Sequence, residues 1–233
     1  MEKLTFKDGV VDALAIFVGY FTTAIAFGLM TTTLSFSLLE TWLMSFFVYA
    51  GSSQFLILSL IRGGSSLISI VISVFFINSR YIFMASSLSG SLDTNKSVWR
   101  KIFAGFSTTD EVFSLASFKA KNITWPYFVG LSLTSWIGWW SGSIVGATIG
   151  DFLPDIIKRA SIITVYAMFA SILGGESKKS FKAVIVFLFS ALLNSLLLLV
   201  FSLPSGFSIV VSMLSGAVLA SFIYTDEEVG LND

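Results

Sequence analysis

Arg80 stands inside an apolar run, residues 67–88, that no charged residue but this one interrupts. At 1.5 Å per helical residue the run spans about 33 Å, enough to cross a bilayer. An arginine at that depth costs about 2.5–3.5 kcal/mol on insertion scales and roughly 10 or more in simulations of isolated helices. Asn78 adds an amide whose donors and acceptor must also be met. Two placements satisfy the physics. Arg80 faces a protein interior or wet cavity and pairs with an anion, or it snorkels to the interface near Leu88, about 12 Å further along. The buried, paired placement is taken here, and it requires a carboxylate elsewhere in the chain.

Composition gives the class. Of 233 residues 55% are hydrophobic and 12% charged, with 24 Phe. A soluble domain carries about 25% charged residues. The chain therefore reads as an all-α polytopic membrane helix bundle of seven to eight transmembrane helices, embedded in a lipid bilayer as one domain over 1–233. Fourteen basic and fourteen acidic residues leave no net charge to favour nucleic acid. Cys and His are both absent, which removes disulfides, Cys/His zinc sites and His-dependent triads. No metal and no cofactor is expected, and the chain does not read as an enzyme. The apolar run behind Lys3 and Lys7 is too long for a signal-peptide core and reads as a retained span.

The spans fall at residues 10–34, 38–61, 67–88, 125–149, 160–173, 183–203 and 205–224, with a doubtful one at 98–120. Ser37-Leu-Leu-Glu40 is a capping box, which makes Glu40 a helix cap rather than a proton carrier. Within the second span, Ala50-Gly51-Ser52-Ser53-Gln54 allows the helix to unwind or a ligand to approach its backbone, and equally fits a tight helix crossing with Gln54 as glue. The segment 98–120 holds Ser107-Thr108-Thr109-Asp110-Glu111. Ser107, Asp110, Ser114 and Ser117 share one helical face. Thr108-x-x-Glu111 is a second capping box, so a broken helix is expected here. Gly138, Gly142, Gly146 and Gly150 recur every fourth residue and mark a close helix seam, with the neighbour in this chain or another. A homo-oligomer is thereby left open. Ser208, Ser212, Gly216 and Ala220 repeat the device more weakly. Basic residues favour a cytoplasmic N-terminus only slightly, and the balance reverses if 98–120 does not cross. A faint echo between 10–120 and 125–224 leaves an internal duplication open.

The order FKDGVVDALAIFVGY, AFGL, LSFSLLE, FVYAGSSQF, NSRY, STTDEVFSLA and GATIGDFLPD resembles the AzlC family over about residues 6–155. That family comprises large subunits of branched-chain amino acid exporters. The resemblance implies a multi-pass protein of the bacterial inner membrane that exports leucine, isoleucine, valine or similar amino acids beside a small AzlD-type membrane subunit. The family pattern has Arg-His where this chain has Arg80-Tyr81, so no histidine role carries over.

A zwitterionic substrate needs an anion-binding and a cation-binding element in one cavity. Arg80 and the Gly51–Gln54 backbone suit the carboxylate. Asp110 or Glu111 suits the ammonium or a coupling proton. The candidate substrate-binding residues are thus Gly51, Ser52, Ser53, Gln54, Asn78, Arg80, Asp110 and Glu111. No Gly-rich phosphate loop with Lys-Ser/Thr is present, which points to a secondary-active carrier. The alternatives are a non-catalytic assembly subunit and an ion- or proton-conducting channel; neither a repeated filter sequence nor rings of one charge sign favour the latter.

Overall fold

A computed structural model describes residues 4–92, 97–119, 123–150, 152–154, 156, 181–203 and 205–223. Their regular structure is α-helix: α1 Phe6–Thr33, α2 Leu38–Phe47, α3 Gly51–Arg62, α4 Leu67–Ser89, α5 Val98–Ser107, α6 Asp110–Phe118, α7 Trp125–Gly150, α8 Phe181–Leu199 and α9 Ser205–Ile223. Of these α1, α4 and α8 are long and apolar enough to cross a membrane. The expected span at 160–173 lies outside the described residues. The chain divides into two compact units, one of residues 1–58 and 77–164, the other of 59–76 and 165–233.

Two helix starts are fixed locally. The Thr5 hydroxyl accepts from the Asp8 amide while the Asp8 carboxylate accepts from the Thr5 amide at 2.7 Å. Ser37 and Glu40 repeat the exchange at the start of α2, with Ser37 N–H donating to Glu40 Oε2 at 2.8 Å. Each pair satisfies amides that a helix N-terminus leaves without partners.

The first unit is built on α1 and α7, which run parallel. Gly130 packs on Phe6, Gly138 on Phe17, Gly142 on Phe21, Gly146 on Ile25 and Gly150 on Thr32. α1 answers with Gly9 against the Tyr127 carbonyl and Gly28 against the Ser143 carbonyl. At most of these positions the nearest atoms to an added Cβ are main-chain atoms of the other helix. Lipid offers apolar side chains no hydrophobic gain, so the attraction here is backbone-to-backbone van der Waals packing that only glycine permits. The neighbour of the glycine stripe is thus α1 of the same chain.

Two broken helices lie against this pair. The α2–α3 segment starts at the C-terminal end of α1, where Thr41 Oγ1 donates to Thr31 Oγ1 at 2.8 Å. It descends to the level of Tyr20, whose ring meets Tyr49 edge-on at 6.0 Å. There it turns at residues 48–50 and heads back, Phe55 meeting Phe27 at 5.7 Å. Gln54 Nε2 donates to Met44 O at 2.8 Å, whereas ten residues of unbroken helix would hold them about 15 Å apart. The α5–α6 segment does the same from the opposite end. The Arg100 guanidinium sits 5.0 Å from the Trp125 ring and Lys119 Nζ 5.4 Å from the Tyr127 ring. One straight helix would separate Arg100 and Lys119 by about 28 Å. Instead the chain reverses at Thr108-Thr109, and Ala104, Val112 and Ala116 join Ala13, Tyr127, Phe128 and Leu131 in one buried cluster. The broken helix expected at 98–120 is present, and its break reverses the chain; the break in 38–61 does so as well. Such turns are tolerated at membrane depth where protein surrounds them.

In the second unit α8 and α9 form an antiparallel pair. Ser208 Oγ donates to Asn194 Oδ1 at 2.6 Å, and Gly216 faces Ser190 and Val186. The small residues of α9 thus meet the partner helix.

Candidate functional site

The tips of the two hairpins meet beside α1 and α7. Tyr49 of the first tip lies 6.1 Å, ring to ring, from Phe106 of the second. Both α3 and α6 begin at these tips, so two helix N-termini with their partial positive charge lie at the turning points. α2 and α5 end there, which leaves carbonyls to be satisfied. Two side chains donate to carbonyls of α2, and a third holds one of them in place. Trp136 Nε1 donates to Phe46 O at 3.1 Å, Gln54 Nε2 to Met44 O at 2.8 Å, and Trp139 Nε1 donates to Gln54 Oε1 at 2.7 Å. Gly51 lies under the Trp139 ring, where a Cβ would stand 2.7 Å from its Cη2. A side chain there would push the indole off Gln54.

Arg80 joins the two hairpins. Its Nη1 lies 2.8 Å from Asp110 Oδ1 on α6, and its Nη2 donates to Ser52 Oγ on α3 at 3.3 Å. Its own neighbour Tyr81 stacks at 5.1 Å. The expected anion partner is thus Asp110, while the burial expected for Arg80 is only partial, 40% of its side chain being exposed. Two residues before Arg80, Asn78 Oδ1 accepts from Ser53 Oγ at 2.8 Å. Six of the eight residues singled out in sequence, Ser52, Ser53, Asn78, Arg80, Asp110 and Gly51, gather at this junction. Gln54 is fully buried with both ends of its amide held by protein. Glu111 is turned the other way, toward the Tyr20 hydroxyl.

The second capping box does not form. Thr109, not Thr108, stands at the start of α6, and no side chain caps it. Thr108 Oγ1 donates back to Ala104 O at 2.6 Å, while Thr109 Oγ1 and Tyr20 Oη share a hydrogen bond of 2.7 Å. With both hydroxyls engaged and Glu111 bonded to Tyr20, neither half of the box is free to close. The break also divides the polar face: Ser107 is buried, Ser114 and Ser117 exposed.

Four residues of the site escape a sequence reading. Tyr20, Tyr49, Thr109 and Trp139 lie at the tips, Tyr20 and Trp139 with rings 5.7 Å apart. Tyr49 adjoins the Ala50–Gln54 motif and Trp139 adjoins Gly138, but nothing in either neighbourhood distinguishes a site residue from a packing one.

The AzlC protein family matches this chain over residues 15–153. The inner membrane protein YgaZ of Escherichia coli is 32% identical over 222 residues, covering 92% of this chain and 87% of that protein. An uncharacterized membrane protein of Helicobacter pylori is 30% identical over 150 residues, 63% of this chain and 64% of its own length. The branched-chain amino acid transport protein AzlC of Bacillus subtilis is 23% identical over 171 residues, 69% of this chain and 66% of that one. No solved structure matches. With the family match covering more than half of its length, the chain belongs to the AzlC family of membrane proteins.

Proposed function

We propose that this chain is the large subunit of a secondary-active carrier that exports leucine, isoleucine, valine or similar amino acids, acting with a small AzlD-type membrane subunit. The observation that carries the reading is the Arg80–Asp110 pair strung between two hairpin tips. An amino acid is a zwitterion, and this pair offers its complement. The α-carboxylate takes the Arg80 guanidinium and the first turn of α3, where the helix dipole favours an anion. The α-ammonium takes Asp110. Loading then swaps one ion pair for two and leaves the net charge at the junction unchanged, so an occluded state meets no new charge cost in the bilayer. Phe106, Trp136 and Tyr49 supply apolar surface for an aliphatic side chain. The B. subtilis relative, by its name a branched-chain amino acid transport protein, supports the choice of substrate.

The test is counterflow. Proteoliposomes carrying the full chain, with any small subunit that co-purifies, are loaded with unlabelled leucine and given labelled leucine outside. Uptake that depends on internal leucine, isoleucine or valine, and that falls at least tenfold in Asp110→Asn, supports the carrier. Absence of exchange by the wild-type protein overturns it.

A further inference from the structure

Glu111 is a carboxylate at the hairpin tip that meets no cation within salt-bridge distance among the described residues. Arg80 is committed to Asp110, the neighbouring acid. Glu111 instead meets the Tyr20 hydroxyl, and the same hydroxyl lies 2.7 Å from Thr109 Oγ1. A phenol carries one proton and cannot donate to both. One of the two contacts therefore runs toward Tyr20. Beyond Thr109 stands Tyr49, 5% exposed, its hydroxyl facing Thr109 and the buried Ser135 and making no hydrogen bond. A buried phenol without a partner is costly unless another state of the molecule gives it one.

We infer that Glu111 is the proton-carrying group of the transport cycle, with Tyr20, Thr109 and Tyr49 as the hydroxyl chain that satisfies it in both protonation states. When Glu111 is ionised, Thr109 donates to Tyr20 and Tyr20 donates to the carboxylate, while Tyr49 donates to Thr109. When Glu111 takes a proton from water, its O–H donates to Tyr20, Tyr20 to Thr109, Thr109 to Tyr49 and Tyr49 to Ser135 Oγ, whose own proton goes to Leu131 O. Each hydroxyl keeps its one proton and turns about its C–O bond, so the only proton gained or lost is the one on Glu111. Chains of this kind polarise one another, so the exposed Glu111 carboxyl keeps a hydrogen-bond partner in either form. The titratable and charged groups around Glu111 are Tyr20 from α1, Tyr49 from the first hairpin tip, Arg80 and Tyr81 from α4, and Asp110 beside it. With Arg80 and Asp110 cancelling, the charge of the junction alternates with Glu111 alone. Ionised, it leaves one net negative charge to be carried across the bilayer; protonated, it leaves none.

This rests on the carrier reading, and the experiment separates the two. Full-length protein in proteoliposomes containing a pH-sensitive dye is assayed for leucine exchange without a pH gradient and for protons moved per leucine in net transport. The wild type is expected to exchange and to move about one proton per leucine, opposite to it. Glu111→Gln, an isostere that cannot titrate, is expected to lower the proton-to-leucine ratio at least tenfold whatever its overall rate. Tyr20→Phe cuts the hydroxyl chain between Glu111 and Thr109 and is expected to lower the proton-to-leucine ratio while exchange is retained. A wild-type ratio of zero with exchange intact, or an unchanged ratio in Glu111→Gln or in Tyr20→Phe, overturns the inference and leaves the carrier standing. Absence of exchange overturns both.

Discussion

Replacing Gly146 by alanine puts one methyl group between α1 and α7. Built on the present backbone, that Cβ stands 2.8 Å from both the Cα and the carbonyl carbon of Ile25, and nearer still to the carbonyl oxygen. Carbon atoms rest at about 3.5–4.0 Å, so the helices must part by roughly 0.7 Å or more at this level. A gap of about 0.5–1 Å forfeits a quarter to a half of the attraction between the atoms it separates. The seam runs on through Gly142 and Gly28, so the loss is not confined to one contact. Overpacking of this kind costs about 1–3 kcal/mol, and better helix propensity returns about 1 at most. Gly19→Ala is the control: nothing lies within 4 Å of its Cβ direction, and the same propensity gain applies without a clash. Unfolding by sodium dodecyl sulfate in mixed micelles, followed by tryptophan fluorescence, should place Gly146→Ala about 1–3 kcal/mol below Gly19→Ala. Equal stabilities for the two variants would refute the seam.

Further outcomes follow from the hairpins and the junction. Arg80→Ala leaves Asp110 half-buried without its cation and is expected to cut counterflow at least tenfold, whereas Arg80→Asp combined with Asp110→Arg should recover part of the loss; a double variant no better than the worse single one contradicts the pairing. Gln54→Leu strips the partner from Trp139 Nε1 and one of two from Met44 O, which the Val48 amide also serves, and should lower stability by about 1–3 kcal/mol. Its signature is reduced folded protein in membranes, and normal levels with normal melting would contradict it. The chain has no cysteine, so Val98→Cys and Phe118→Cys, both exposed, can each be probed with an impermeant maleimide. Both should label from the same membrane face, that of Lys7, Arg100, Lys101 and Lys119. With 38–61 returning as well as 98–120, Arg62 falls on the other face and the positive-inside rule makes the Lys7 face cytoplasmic; labelling from opposite faces refutes the α5–α6 hairpin.

What the sequence disclosed and what it hid divide along physical lines. The glycine stripe was legible because a four-residue spacing has a direct steric meaning on a helix, and Ile25, Phe21 and Phe17 lie where it says a backbone should. Arg80 announced its need for an acid through its burial cost, and Asp110 was one of two acids available at depth. The return of α2–α3 was not legible. A hairpin and a crossing bury the same apolar residues in the same order, and what separates them is Gln54 reaching Met44 across a turn of three residues. Likewise Thr108-x-x-Glu111 satisfies the pattern of a cap, but Tyr20 arrives from 91 positions away to claim Glu111. Local pattern yields to a distant partner wherever that partner supplies a stronger hydrogen bond.

The pairing of α1 with α7 also sets a timetable for biosynthesis. Ile25 meets Gly146, a residue that leaves the ribosome 121 positions later. At about 5–20 residues per second, α1 waits roughly 6–24 s in the membrane before its partner exists. Throughout that interval Gly9 and Gly28 present bare backbone to whatever lies alongside. Nascent chains halted before Gly146 should therefore be held by an insertase or degraded, while chains that reach Gly150 become resistant to protease, because only then can the first helix find its seat.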